Sequence, residues 1–345
     1  MKKRIRQYSS LFLFLALSAP IFSLAGDSDG AQRKKTINKS YNVTADDKLQ
    51  IENSFGDVMI STWDKNEITV DITIGVNAPS EARAQSIMDQ IDVKDYHEGH
   101  TISFKTNVGE IHNGNNGNGR NKTGEERTFY IDYVVHMPSA NRLRLENSFG
   151  KTSVPDFQGE VTLTSKFGSL NTGKLANVDA INVEFGRAAI TEISNGKVAF
   201  KFNKESRIGK VNGNVKISSE FSHNVQFNVG DNIKELSVFE SYSGVRLIVT
   251  KSLSAEFDIH TSFGSFHNDS DFSIKEQKED QNDYGPHFDK DYNGKAGDGR
   301  ARIKIKSSFG SVRVSHNPGN DKDKDKDDDD DDKDKAKDKT GDQTT

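Results

Sequence analysis

An aromatic residue followed by glycine returns along this chain at a spacing that suits a fold built by stacking. Phe-Gly pairs stand at Phe55-Gly56, Phe149-Gly150, Phe167-Gly168, Phe185-Gly186, Phe263-Gly264 and Phe309-Gly310. Related copies without the glycine fall at Phe202-Asn203, Phe221-Ser222 and Tyr242-Ser243. From Phe149 to Phe263 successive aromatics lie 18, 18, 17, 19, 21 and 21 residues apart. A period near twenty residues marks a short supersecondary unit that buries its apolar face only against its neighbours. The sequence therefore predicts an all-β, β-helix-like solenoid with coils of about 18–21 residues.

With the aromatic at position zero, position −4 is aliphatic in all nine copies: Ile51, Leu145, Leu163, Ile181, Val198, Ile217, Val238, Ile259 and Ile305. Position −6 is apolar except at Asp179 and Gly196, and the residues between are polar. Even spacing puts these positions on one face of a strand. Beyond the aromatic the apolar positions become odd, as at Val58 and Ile60 or Val312 and Val314. The expectation is that the aromatic points inward and closes one strand, and that glycine turns the corner with φ > 0. On that reading Phe167→Ala would cost about 3–5 kcal/mol, and Phe309→Ala, near the open C-terminal edge, would cost less. Position −2 is mostly small and polar (Asn53, Asn147, Ser165, Ser219, Thr261, Ser307), as expected of a stack that satisfies backbone groups beside the corner.

Residues 1–25 read as a signal peptide, with Lys2, Lys3, Arg4 and Arg6 before an apolar run and Ser23-Leu24-Ala25 at the cleavage site. Export to the periplasm, the cell surface or the medium is expected, and no later segment approaches the ~20 apolar residues of a spanning helix. The chain contains no cysteine, so thiol catalysis, disulfides, cysteine metal sites and a lipid-anchored cysteine are all excluded. Residues 321–345 hold 12 Asp and 7 Lys, including six consecutive aspartates from Asp327 to Asp332. Segment 317–345 is expected to be a disordered, solvated tail, with weak calcium association as its only metal reading. The tail is −5 and so is the whole chain, so the remainder is neutral and does not favour nucleic acid.

Two segments break the period. Residues 41–140 read as an α+β cap: a strand through Trp63–Ile74, a short helix near Glu81–Gln90 and a hairpin from Ile91–Tyr96 to Thr101–Thr106. A Gly/Asn-rich loop at Asn113–Arg127 and a strand at Phe129–Met137 complete it. Residues 26–40 read as a linker, and 141–316 as the repeat domain with a polar insertion near 275–300.

No motif specifies a reaction, a cofactor or a metal. His97, Glu98 and His100 lie at a hairpin tip without the helical H-E-x-x-H spacing, and they read as an exposed turn. His260 and His267 flank Phe263 and are expected to face solvent. Carboxylates on a β-helix face can hydrolyse glycosides, but Asp156, Asp179, Glu184, Glu192, Glu205, Glu220, Glu235 and Glu240 come from different positions of the repeat. Catalytic, cofactor-binding and metal residues are therefore expected to be none, and the six Phe-Gly pairs are the structural repeat.

The phrases LQIENSFGDVMISTWDKNEITVDITI and YVVHMPSANRLRLENSFGKTSV resemble the bacterial putative-adhesin family of β-strand-repeat, domain-of-unknown-function proteins, common in Bacteroidota envelopes. Met137-Pro138 leading into Asn147-Ser148-Phe149-Gly150 carries the likeness, which spans roughly Tyr41 to Ser315. The resemblance implies a solenoid-like fold, an envelope or secreted location and no catalytic residues. The functional expectation is a non-enzymatic adhesin-like or envelope scaffold whose partner is an unidentified envelope protein or glycan. A β-helix polysaccharide lyase or glycoside hydrolase is the alternative.

Overall fold

The computed structural model describes residues 30–109, 128–277 and 288–318. Residues 1–25, which read as a signal peptide, the Gly/Asn-rich segment 113–127 and the Asp/Lys segment beyond 318 lie outside the described residues. The described chain is all-β, with a single helix and 21 strands in one open hydrogen-bonded network.

The N-terminal part runs β1 (Ala31–Asn42), β2 (Lys48–Ser54), β3 (Val58–Trp63), β4 (Glu67–Ala78), α1 (Glu81–Met88), β5 (Ile91–Glu98), β6 (Thr101–Val108) and β7 (Thr128–Pro138). The Ser80 hydroxyl caps α1 by accepting the Arg83 N–H, and Ala84, Ile87 and Met88 are its buried face. The helix and the β5–β6 hairpin fall where the sequence places them. Residues 31–40 are not a linker: β1 pairs antiparallel along the whole of β4.

The repeat region begins with β8 (Arg142–Ser148), β9 (Lys151–Val154) and β10 (Phe157–Lys166). Four long strands follow: β11 (Ser169–Glu184), β12 (Arg187–Lys201), β13 (Glu205–Glu220) and β14 (Val225–Ser241), then the short β15 (Gly244–Ile248). Each pairs in parallel with the next, one repeat apart, so Leu145, Leu163, Ile181, Val198, Ile217 and Val238 form one continuous column. The −4 and −6 residues supply the core, and Ile181, Leu163 and Ile217 have no exposed surface. Alternation places polar side chains on the outer face of every strand.

The chain ends with β16 (Ala255–Ser262), β17 (Ser265–Asp269), β18 (Ser273–Glu276), β19 (Asp289–Ala296), β20 (Ala301–Ser308) and β21 (Ser311–Ser315). Here spatial order departs from chain order. Strand β20 lies between β14 and β16, and β21 lies between β15 and β17. The polar insertion is partly ordered sheet, since β19 pairs antiparallel with β16 and β18. Phe309 is consequently enclosed between Tyr242 and Phe263 and is not the edge of the stack.

The larger correction concerns the corner. The nine repeat aromatics do not point into the core: they are 38–53 % exposed, and every one has φ between 48° and 66°. The aromatic itself takes the left-handed conformation, and the glycine after it does not. One left-handed residue turns the chain and throws its ring outward, and the inward parity changes across it as the sequence requires. Glycine is needed for a different reason. A Cβ on Gly150, Gly168 or Gly186 would stand 1.8, 2.0 or 2.3 Å from the carbonyl oxygen of the glycine one unit back.

A left-handed L-residue costs about 1–2 kcal/mol. Each ring recovers this by stacking on both neighbours, with centroids 4.8–5.2 Å apart and planes within 6° of parallel from Phe55 to Phe263. Two such contacts at about 0.5–1.5 kcal/mol each are enough to offset the strain. Two outcomes follow for chemical denaturation. Ile181→Ala should cost about 2–5 kcal/mol and exceed Phe185→Ala, because only Ile181 is fully enclosed. Phe185→Gly should be more stable than Phe185→Ala by about 1 kcal/mol, the reverse of the usual order inside a strand.

Candidate functional site

Two arrangements of side chains stand out: a buried polar line beneath the corner and the exposed aromatic ladder above it. The buried line begins at Asn53, whose amide donates to the Ile131 carbonyl (3.0 Å) and to Asn147 Oδ1 (3.1 Å). Asn147 donates in turn to the Gly56 carbonyl at 3.0 Å. Position −2 thus satisfies backbone groups there, as expected. The hydroxyls of Ser165, Ser219 and Thr261 at the equivalent positions have no hydrogen-bond partner among the described residues.

Where the sequence replaces glycine after the aromatic, the new side chain takes over this work. The Gly186 N–H donates to Asn203 Oδ1 (2.9 Å), the Asn203 N–H to Ser222 Oγ (3.1 Å) and the Ser222 N–H to Ser243 Oγ (3.0 Å). Each corner amide is served by the side chain one unit further on. The relay ends at Ser243, because the next corner residue in space is Gly310, which has no side chain to offer. Glu240 fills the gap: its carboxylate accepts the Ser243 N–H at 2.7 Å and the Ser307 hydroxyl. It occupies the space that a Cβ on Gly310 would need, 1.7 Å from Glu240 Oε1.

Glu240 is therefore a buried acid, and burial pushes its carboxyl above the ordinary range despite the two hydrogen bonds it accepts. A raised pKa means that the folded state holds the proton more tightly than the unfolded chain. The resulting stability is fully present below the unfolded value and is lost as pH rises through the folded one. The carboxyl is packed against Gly310 and Ser307.

The remaining candidates stay apart. His100 pairs with Asp47 (2.8 Å), while the His97 ring meets Tyr41 edge-on at 5.6 Å, so the two histidines of the hairpin tip serve different contacts. His260 pairs with Asp291 at 2.8 Å. Among the described residues no three His, Asp or Glu side chains are grouped to hold a metal ion. Asp156 accepts the Lys174 N–H, Asp179 the Thr162 hydroxyl and Glu192 the Asn212 amide, each in a separate turn of the stack. An open depression of 730 Å³ on β16, β19 and β20 carries both signs of charge, with Glu256 and Asp258 beside Lys295, Arg302 and Lys304.

No family model and no curated protein matches the sequence. Solved structures of like extent exist. A crystal structure described as a putative adhesin from Bacteroides fragilis is 11% identical, with a TM-score of 0.41, covering 81% of this chain and 97% of that one. One described as a putative cell adhesion protein from Clostridium sporogenes is 13% identical, with a TM-score of 0.21, covering 82% and 99%. A third, described as a putative lipid binding protein from Parabacteroides distasonis, is 13% identical, with a TM-score of 0.34, covering 81% and 96%.

The Glu240 assignment has a direct test. Glu240→Gln removes the charge: its amide oxygen still accepts the Ser243 N–H, while its amide nitrogen donates to the Ser307 hydroxyl, reversing that bond. It should raise the midpoint of thermal unfolding near pH 7 and leave it almost unchanged near pH 3. An equal effect at both pH values would show that the carboxylate is not destabilising.

Proposed function

We propose that this chain is an exported, non-catalytic β-solenoid that presents a repetitive surface for binding or for scaffolding in the cell envelope. In this reading residues 141–316 are the solenoid and residues 41–140 are its N-terminal cap, followed in the sequence by the Asp/Lys-rich segment 317–345. The observation that carries it is the common register that the stacked units keep from position −4 to the residue before each aromatic. The six Phe-Gly pairs, the −4 and −6 columns and the corner relay are all spent on holding one unit to the next. What faces outward is a long surface repeated at the strand spacing, suited to contacting an extended partner at many equivalent points.

The export reading rests on residues 1–25 and the adhesin reading on the resemblance of the repeat phrases. The polysaccharide-active alternative needs two carboxylates facing one another across a groove. Glu184 and Glu220 share an outward column, but Lys201 stands between them in register. Affinity capture on intact envelopes of the source cell, with the purified chain as bait, should recover a protein or glycan partner. Incubation with a panel of polysaccharides should give no new reducing ends or unsaturated products. Turnover that is lost on mutating surface carboxylates would overturn the non-catalytic reading.

A further inference from the structure

The exposed ladder presents ring edges only. From Phe55 to Phe263 each ring lies face to face with its neighbours at 4.8–5.2 Å. The interior faces are therefore taken, and neither a sugar ring nor a nucleic-acid base can stack on them. What remains is an apolar stripe about 40 Å long when followed from ring to ring, at the strand repeat. Half-exposed rings at roughly 90 Å² each leave about 800 Å² across the nine, the area one partner contributes to a standard interface. A partner touching every ring in the same way needs the same repeat, and a second copy of this chain has it.

The charges along the stripe select an arrangement. The residues just before each aromatic form one registered column: Ser54, Ser148, Lys166, Glu184, Lys201, Glu220, Ser241, Ser308 and Ser262. A two-fold axis passing between Phe185 and Phe202 reverses this column against itself. Glu184 then meets Lys201, Lys166 meets Glu220, and serines meet serines beyond them. The column on the other side of the rings runs Asp57, Lys151, Ser169, Arg187, Glu205, Asn224, Gly244 and Ser311. The same axis sets Arg187 against Glu205 and opposes no two like charges within the column. Among the described residues Arg187 has no ion-pair partner, whereas Glu205 is held by Arg207 at 2.8 Å. Lys204, in the corner of the Phe202 unit, adds a second cation beside that contact.

From this geometry we propose that the aromatic ladder is a self-association surface: two copies pair antiparallel, ladder to ladder, about an axis between Phe185 and Phe202. The contact is isologous, as closed two-fold dimers are. Within one chain Lys201 already pairs with Glu220 at 3.0 Å and Lys166 with Glu146 at 3.5 Å. These are exposed pairs of small worth that can exchange partners across the interface.

Light scattering on the full chain across a concentration series tests this. The wild type should be a dimer. Lys166→Glu with Lys201→Glu opposes like charges at four symmetric contacts and should weaken the dimer on the order of 30-fold. Glu184→Lys with Glu220→Lys should do the same, and mixing the two variants should restore a one-to-one heterodimer. The fourfold inversion, which keeps the pairing but reverses its sign, should dimerise like the wild type and report that these surface changes leave the fold intact. A wild type that stays monomeric at the highest concentration, a homodimer indifferent to either double substitution, or variants that ignore one another on mixing would each overturn the proposal. Capture of an envelope partner by a monomer would overturn it too, while leaving the scaffold reading in place.

Discussion

The spacing between parallel strands governs this molecule. Every unit must place its corner directly over the last, at about 4.8 Å, and the backbones there approach closely. Glycine carbonyls sit so close to the next glycine that no Cβ fits between them. In every unit, whether glycine or Asn203, Ser222 or Ser243 follows, the turn comes from the aromatic residue before it. A bulky aromatic accepts the left-handed conformation because the same spacing lets its ring stack on both neighbours. Strain, stacking and close approach are three consequences of one repeat distance.

The polar interior follows from the same constraint. A corner drawn this tightly leaves amides and carbonyls that water cannot reach, and each needs a partner. Asn147 supplies one by reaching to the Gly56 carbonyl, and the relay from Asn203 through Ser222 to Ser243 supplies others. Glu240 is what the relay requires where the spatial order brings Gly310, not another serine, over Ser243. A buried acid, an obvious suspect for chemistry, is here a substitute hydrogen-bond acceptor.

The final units show the cost of reading order in space from order in the chain. Leu236, Ile303 and Phe257 occupy equivalent positions, and any of three neighbours would satisfy the apolar pattern. On the outer face Arg302 lies in register between Glu235 and Glu256, while those two acids would face each other if β16 followed β14 directly. Charge thus agrees with the observed insertion of β20, which also encloses Phe309. The N-terminal elements were legible because they are local: a capped amphipathic helix and a hairpin around Glu98-Gly99 need no distant partner to be recognised. Residues 31–40 were not, because a Lys-rich strand earns its place only by pairing with β4.

The sequence by itself determined the period, the all-β class, the inward columns at −4 and −6, and the change of parity at each aromatic. These are properties of alternation along a single strand, and alternation is written in the order of residues. Only the tertiary structure decided which residue of the Phe-Gly pair takes the left-handed turn, that the rings face outward, that glycine serves close approach, and where the last two units lie. Each of those depends on atoms one unit away in space, some twenty or more residues distant in the chain, and a pattern read along one strand does not contain them.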